Sequence, residues 1–441
     1  MKNVKYVLIG LYALIAAFFS YAVQFDNTIQ VVGCYAALFV IYFYLLKILD
    51  NDDVQWVIYS SLFIRLILVG SIPNLANDIY RYIWDGNLQA MGFNPYTLSP
   101  KDVMDGGLNH FKNAGNLFHQ INSIRDLSAF APLSEMIFYI SIKTSLGHQH
   151  IAIIFIKFIL FVAEVFSISA LLNLLKHFSL PIKNIFIYAL SPLAIIEISG
   201  NAHTEALMIC LLLLSFQYYV NHKNKRAIFF YAASIAAGLL PLFLLPIFIL
   251  KNSLKQNLKF ISFLAICLVA FFGLYFQNRD ILHTYSVTLQ RYYNEFEFNS
   301  FFYFWLDKIL PTNSKAFTIG IVSRLFTAIS ISVLCVLAWR KRNQNEFSAM
   351  KLVAIFLILF YAFFPVVNPW YLLPIIITIV FIPMQSILLW SALIVASSLA
   401  LKSTENIYLH LIASLFYIVV AMLWFIKDRK SVTEISTKNS N

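Results

Sequence analysis

Residues 1–24, MKNVKYVLIGLYALIAAFFSYAVQ, contain one unbroken apolar stretch from 6 to 23. That is close to the ~20 residues an α-helix needs to cross the hydrocarbon core of a bilayer. A cleaved secretory leader has a shorter apolar centre, and more runs of this kind follow, so the stretch reads as an uncleaved first spanning helix. Comparable runs lie near 31–49, 54–72, 150–175, 184–200, 204–220, 260–277, 316–339, 349–367, 369–383, 386–401 and 407–426. Another, 227–250, is broken by Gly238, Pro241 and Pro246, which suggests two short half-helices. The chain is 12% charged, about half the share in an average soluble domain, so its main solvent is lipid. The expected fold class is an all-α polytopic membrane protein, a bundle of about 12–14 transmembrane helices. One large loop, 73–149, would carry surface helices.

The net charge of +11 invites comparison with nucleic-acid binders. However, the Lys and Arg residues fall between apolar runs and in the tails, as membrane topology requires, and nucleic acid is excluded as a partner. Cys34, Cys210, Cys267 and Cys335 all lie inside apolar runs without a CxxC pair and read as small core residues. The nearest approach to a metal-ligand pair is GHQH (147–150), and no metal is assigned. No cofactor is expected, although the carboxylates leave a divalent cation possible.

Orientation follows from the basic loops, which belong on the cytoplasmic side. These are KHFSLPIK (176–183), NHKNKR (221–226), KNSLKQNLK (251–259), WRKRNQ (339–344) and KDRK (427–430). They agree if the broken 227–250 run returns to the side it left. Four segments then share the extracytoplasmic face: 73–149, SGNAHTEA (199–206), 277–305 and VVNPWY (366–371). Residues 1–426 read as a single domain and 427–441 as a polar, disordered cytoplasmic tail.

The unusual polar residues gather on that one face. In NDIYRYIWDGNLQAMGFNPY (77–96), Asp78, Arg81, Tyr82 and Asp85 share a helix face, following Asn77. Trp84 and Tyr82 could also anchor such a helix in the headgroup layer. In SPLAIIEISGNAHTEALMI (191–209), Glu197 ends a span and His203 and Glu205 open the next; an ionisable group there marks function by default, with helix capping as the plainer reading. Residues 291–305, RYYNEFEFNSFFYFW, mix Arg291, Tyr292 and Asn299 with aromatic rings, a combination suited to sugar faces and hydroxyls or to an interfacial belt. Trp370 sits in PVVNPWYLLP (365–374), a break between two spans. Arg65, Lys157, Glu164 and Arg324 are charges within spans, and read as structural.

Taken in order, NDIYRYIWDGNLQAMGFNPY, SPLAIIEISGNAHTEALMI, FEFN and NPWYLLP resemble bacterial membrane glycosyltransferases of the GT-C superfamily, especially mannosyltransferase-like members that use polyprenyl-phosphate sugars. The resemblance covers about 54–375. It implies a multi-helix membrane fold with the active site between extracytoplasmic loops and the bilayer, in a bacterial inner membrane. Asp78 corresponds to the family's catalytic base. Two positions depart from the pattern: Glu205 replaces an Asp of the NAHxD-like motif, and GLLPLFLLP lacks a lysine often found near its glycine. The resemblance implies inverting transfer of a hexose from a polyprenyl-phosphate donor to a hydroxyl of a glycan, lipid or protein acceptor, with membrane lipids as the other partners. Arg81, His203, Arg279 and Arg291 are then candidates to meet the donor phosphate, and Glu197 and Glu205 to bind sugar hydroxyls or orient a cation. Asn77, Tyr82, Trp84, Asp85, Tyr292, Asn299 and Trp370 are candidates to position substrate. The rival classes are a transporter or flippase of lipid-linked sugars, whose charged residues would line a path across the membrane, and a lipid-linked glycan polymerase or ligase.

Overall fold

The computed structural model describes residues 2–24, 26–249, 253–295, 298–299, 305–306, 309, 315–340, 346–400 and 407–428. The side chains of 292–295, 315–319, 396–400, 407–413 and 425 are excepted. Five described helices are long and apolar enough to cross a membrane: Asn3–Ala22, Thr28–Ile48, Gln149–His177, Leu254–Phe272 and Gly320–Arg340. The pair Ile182–Ala189 and Pro192–Gly200, bent by 48°, forms a sixth when taken as one span. Shorter apolar helices complete the bundle, including Glu205–Val220, Phe347–Ala362 and Pro369–Phe381. In the labels used below, α1 is Lys2–Ala22, α2 Thr28–Ile48, α3 Val54–Val69, α4 Asp78–Ala90, α5 Pro100–Asp105, α6 Ala114–Gln120, α7 Pro132–Thr144, α8 Gln149–His177, α9 Glu205–Val220 and α10 Asn224–Ala237.

The first helix shows why this is a membrane bundle. Ile9, Tyr12, Ala16, Phe19 and Val23 of the N-terminal segment are buried, yet the other face of α1 exposes Val4, Val7, Leu11, Leu14 and Phe18. A helix that is apolar on both faces is stable when its outer face meets lipid. Lipid also removes the hydrophobic drive for helices to associate, so packing and buried polar contacts have to hold the bundle. Arg65 of α3 supplies one such contact: its Nε donates to Glu164 Oε2 of α8 at 2.9 Å, with both side chains fully buried. Its Nη1 donates to Ala189 O at 2.7 Å, and the Tyr188 hydroxyl closes the group by bonding Glu164. Tyr12 and Tyr42 likewise donate to Leu190 O and Ile187 O, tying α1 and α2 to the bent segment. These charges are spent on one another and on backbone carbonyls, which removes Arg65 and Glu164 from the charged path that a transporter would need.

Between α3 and α8, helices α4 to α7 form a compact cap on one end of the bundle. The helix of the 77–96 motif lies inside this cap and not flat in a headgroup layer. Ile79, Tyr82, Ile83, Trp84 and Leu88 are all buried. Tyr82 stacks on Phe138 of α7 at 4.3 Å, and Trp84 meets Phe111 edge-on at 5.0 Å. The expectation of membrane anchoring by these two rings is therefore corrected: α7 and α6 supply the apolar surface that lipid would have supplied. Helices α4 and α7 approach closely at Gly86, where a Cβ would stand 2.6 Å from Phe138 O.

The broken run is two pieces, α10 and Leu240–Ile249, as its glycine and prolines suggested. Ser134 of α7 donates to Ala237 O at the break, so the break faces the cap. Phe248, near the far end of the second piece, packs on Tyr219 near the end of α9 and on Tyr231. The run thus doubles back toward the end it left. Residues 429–441, most of the expected tail, lie outside the described residues.

Candidate active site

Two chain turns meet beneath the cap. One follows α3 and leads into Asp78 at the start of α4. The other ends the bent segment, where Ile195–Gly200 widens into a π-helical turn. Such turns are rare and often sit at functional sites. The chain then passes Asn201 and Ala202 before His203. Ala202 holds φ at 65°, the left-handed region that a residue with a Cβ seldom occupies. The His203 backbone N–H donates to Glu197 O at 3.1 Å, which folds the histidine back over the glutamate.

The side chains form a graded row. Asp78 is 44% exposed at the front, whereas His203 and Glu197 behind it are 1% and 6% exposed. His203 Nδ1 stands 3.8 Å from Asp78 Oδ2, and its Nε2 stands 3.2 Å from Glu197 Oε2. The second contact is an ion pair, with the N–H directed off the line to the oxygen. Glu197 is held from two sides: the Tyr35 hydroxyl donates to Oε1, and Asn201 Nδ2 donates to Oε2 at 3.0 Å. Trp370 stacks on the imidazole at 3.8 Å with an 18° tilt, forming one wall. The charges of Asp78 and Glu205 both act on the Tyr82 hydroxyl, so the start of α9 lies beside the same group.

Burial raises the Asp78 carboxyl above the ordinary range; His203 opposes the rise and Glu197 adds to it. Burial alone would lower His203, but its contact with Glu197 and the charges of Glu205 and Asp78 outweigh that and raise it. The imidazole is therefore biased to carry a proton, and as a cation it favours the ionised form of Asp78 against burial. Replacing it with a neutral residue leaves burial and like charge unopposed. In His203→Gln, the infrared carboxyl band of Asp78 should persist to higher pH than in the unaltered protein. An unmoved titration would show that the imidazole does not act on Asp78.

Of the candidate residues, the structure brings together Asp78, Glu197, His203, Glu205, Tyr82 and Trp370. Asn299 is tied to the segment that leads into Trp370: its Nδ2 donates to Val367 O at 3.2 Å, and Phe298 pairs with Val366. Arg81 and Asp85 are placed elsewhere. Arg81 Nε bonds Asp85 at 2.8 Å, and its Nη1 donates to Ser123 O and Asp126 O, so both stiffen the cap. Arg291 reaches Asp126 at 3.3 Å, Arg279 is exposed at the start of Arg279–Glu295, and Asn77 donates to Asn122. Trp84 is turned away from Asp78 on α4, toward Phe111 and Phe118. The side chain of Tyr292, and Glu297 of the FEFN motif, lie outside the described residues. Tyr35 had no signal in the sequence, being one tyrosine among many in an apolar run. Glu135 was a visible acid in an apolar helix; burial and the neighbouring Asp85 raise its carboxyl well above the ordinary range. Among the described residues, no group of three or more His, Cys, Asp or Glu side chains could hold a metal ion.

A narrow apolar cavity begins one turn below Glu205. It follows α9 through Met208, Leu212 and Phe216, and is bounded opposite by Pro374 and Ile377, a few residues after Trp370.

No curated protein matches this chain. The family model for the alpha-(1->6)-mannopyranosyltransferase N-terminal domain, the MptA_B family, does match it, over residues 6–252. The match takes in both turns of the site and ends just after the broken run. Since it covers more than half of a chain built as a bundle of apolar helices, the protein belongs to the MptA_B family of GT-C type mannosyltransferases.

Proposed function

We propose that the protein transfers a mannosyl unit from a polyprenyl-phosphate donor to an acceptor hydroxyl, with inversion and with Asp78 as general base. The observation that carries the donor class is the cavity. It is lined almost wholly by apolar side chains, beginning at Met208 and Pro374, which follow Glu205 and Trp370 in the chain by three and four residues, and such a lining suits an isoprenoid chain. In the reaction the acceptor O–H gives its proton to Asp78 as its oxygen bonds the sugar C1. The C1–O bond to phosphate breaks, and polyprenyl phosphate leaves. Asp78 is suited to the role because it is exposed enough to meet a hydroxyl, while His203 behind it favours the ionised form. Inversion to an α-linkage requires a β-linked donor. The positive-inside rule applied to the basic loops supports an extracytoplasmic site, and the resemblance to bacterial GT-C enzymes supports a bacterial inner membrane. The acceptor is a glycan, lipid or protein hydroxyl.

The test is transfer by purified protein in lipid nanodiscs, with radiolabelled mannose presented on polyprenyl phosphate or on a water-soluble nucleotide. Product should form from the lipid-linked donor. Equal transfer from the nucleotide sugar would overturn the donor assignment.

A further inference from the structure

Lys157 of α8 is an ammonium buried to 1% exposure inside an apolar helix. A charge in such a place is costly and is retained where it does something specific. Glu164, two turns away on the same helix, is engaged by Arg65. The Lys157 Nζ instead shares its three N–H donors among four oxygens, Leu68 O at 2.6 Å, Ser71 O at 2.7 Å, Ser71 Oγ at 2.8 Å and Gly200 O at 3.1 Å. These oxygens come from two places only: the end of α3 and the end of the π-helical turn. Both are helix C-termini, whose carbonyls carry partial negative charge and attract a cation.

The two ends gathered on this ammonium are the ones that lead into the site. Asp78 lies seven residues beyond Ser71, and His203 three beyond Gly200. Helix α1 braces the same ends. Tyr21 donates to Ile67 O at 2.7 Å; a Cβ on Gly70 would meet Tyr21 Oη at 2.8 Å, and one on Gly200 would meet Ser20 Oγ at 3.1 Å. We propose that Lys157 is a positioning residue for the transfer reaction, drawing both turns onto one point and thereby setting the spacing of Asp78 from His203. The inference rests on Asp78 acting as the base.

The role predicts a loss in turnover that is separable from a loss of fold. In the full-length protein, Lys157→Met should lower kcat by roughly 10²-fold, the scale of an ångström-sized misplacement of a catalytic group. The KM for the lipid-linked donor should change little. Ser71→Ala removes one of the four contacts without altering any charge. It should lower kcat several-fold and move the acid limb of the pH profile upward, as Asp78 loses its close cation. The groups facing Asp78 that set this limb are His203, Glu197, Glu205 and Tyr82. If Lys157→Met does not fold, Ser71→Ala decides alone. Unchanged kcat and an unmoved acid limb in Ser71→Ala would overturn the positioning role, as would full kcat in a well-folded Lys157→Met. Asp78→Asn separates this failure from that of the underlying reading. Lost transfer there with normal Ser71→Ala removes only the role of Lys157, whereas retained transfer removes the base assignment itself.

Discussion

Asp78→Asn should lower turnover by about 10²–10⁴-fold, the usual worth of a positioned general base, while the protein still folds and still binds its lipid-linked donor. The substitution keeps the size and shape of the side chain and removes its ability to accept a full proton. Its structural cost is small. Asp78 occupies the first turn of α4, where a carboxylate favours the positive helix end by about 0.3–1 kcal/mol. Its carboxylate has no hydrogen-bonded cation to abandon, since His203 Nδ1 is 3.8 Å away. A kinetic loss of several orders of magnitude beside a stability loss below about 1 kcal/mol is the signature of a chemical role. Initial rates with the lipid-linked donor, together with donor binding and thermal unfolding of the same preparation, measure both. Turnover within ten-fold of the unaltered enzyme would sink the assignment.

The largest stability effect should come from Glu164→Ala. It strands the Arg65 guanidinium, fully buried and directed at an oxygen that no longer exists. Breaking a buried pair from one side costs about 3–5 kcal/mol, because the remaining charge is uncompensated. The consequence extends to the site, since Arg65 also holds Ala189 O and Tyr188 O of the bent segment that carries Glu197. Replacing both partners, as Arg65→Met with Glu164→Leu, should be far milder, since apolar pairs of similar volume often substitute for buried ion pairs. Unfolding in detergent, followed by far-ultraviolet circular dichroism, distinguishes the two. Equal stability of Glu164→Ala and the double variant would contradict this account.

The spans were legible because a bilayer demands long apolar stretches and a sequence cannot hide them. The broken 227–250 run was legible for the same local reason, since proline and glycine act on the backbone where they stand. Asp78, Glu197, His203 and Trp370 stood out as polar or aromatic residues at span ends. What the pattern could not convey was which way each side chain turned. Asp78, Arg81 and Asp85 share a face of α4, yet Arg81 closes on Asp85 and on loop carbonyls while Asp78 faces His203. Trp84 looked like an anchor, but whether an aromatic ring meets lipid or protein depends on α6 and α7, which are remote in sequence.

By itself, then, the sequence determined the solvent, the helices and the short stretches where chemistry could reside. These follow from hydropathy and backbone preference, which are properties of neighbouring residues. Only the tertiary structure decided that Tyr35, Glu197, His203 and Asp78 stand in one row, and that Lys157 gathers the two turns behind them. Apart from the local Glu197–His203 contact, those contacts join residues 43 to 162 positions apart, and their strength comes from burial, which exists once the chain has packed.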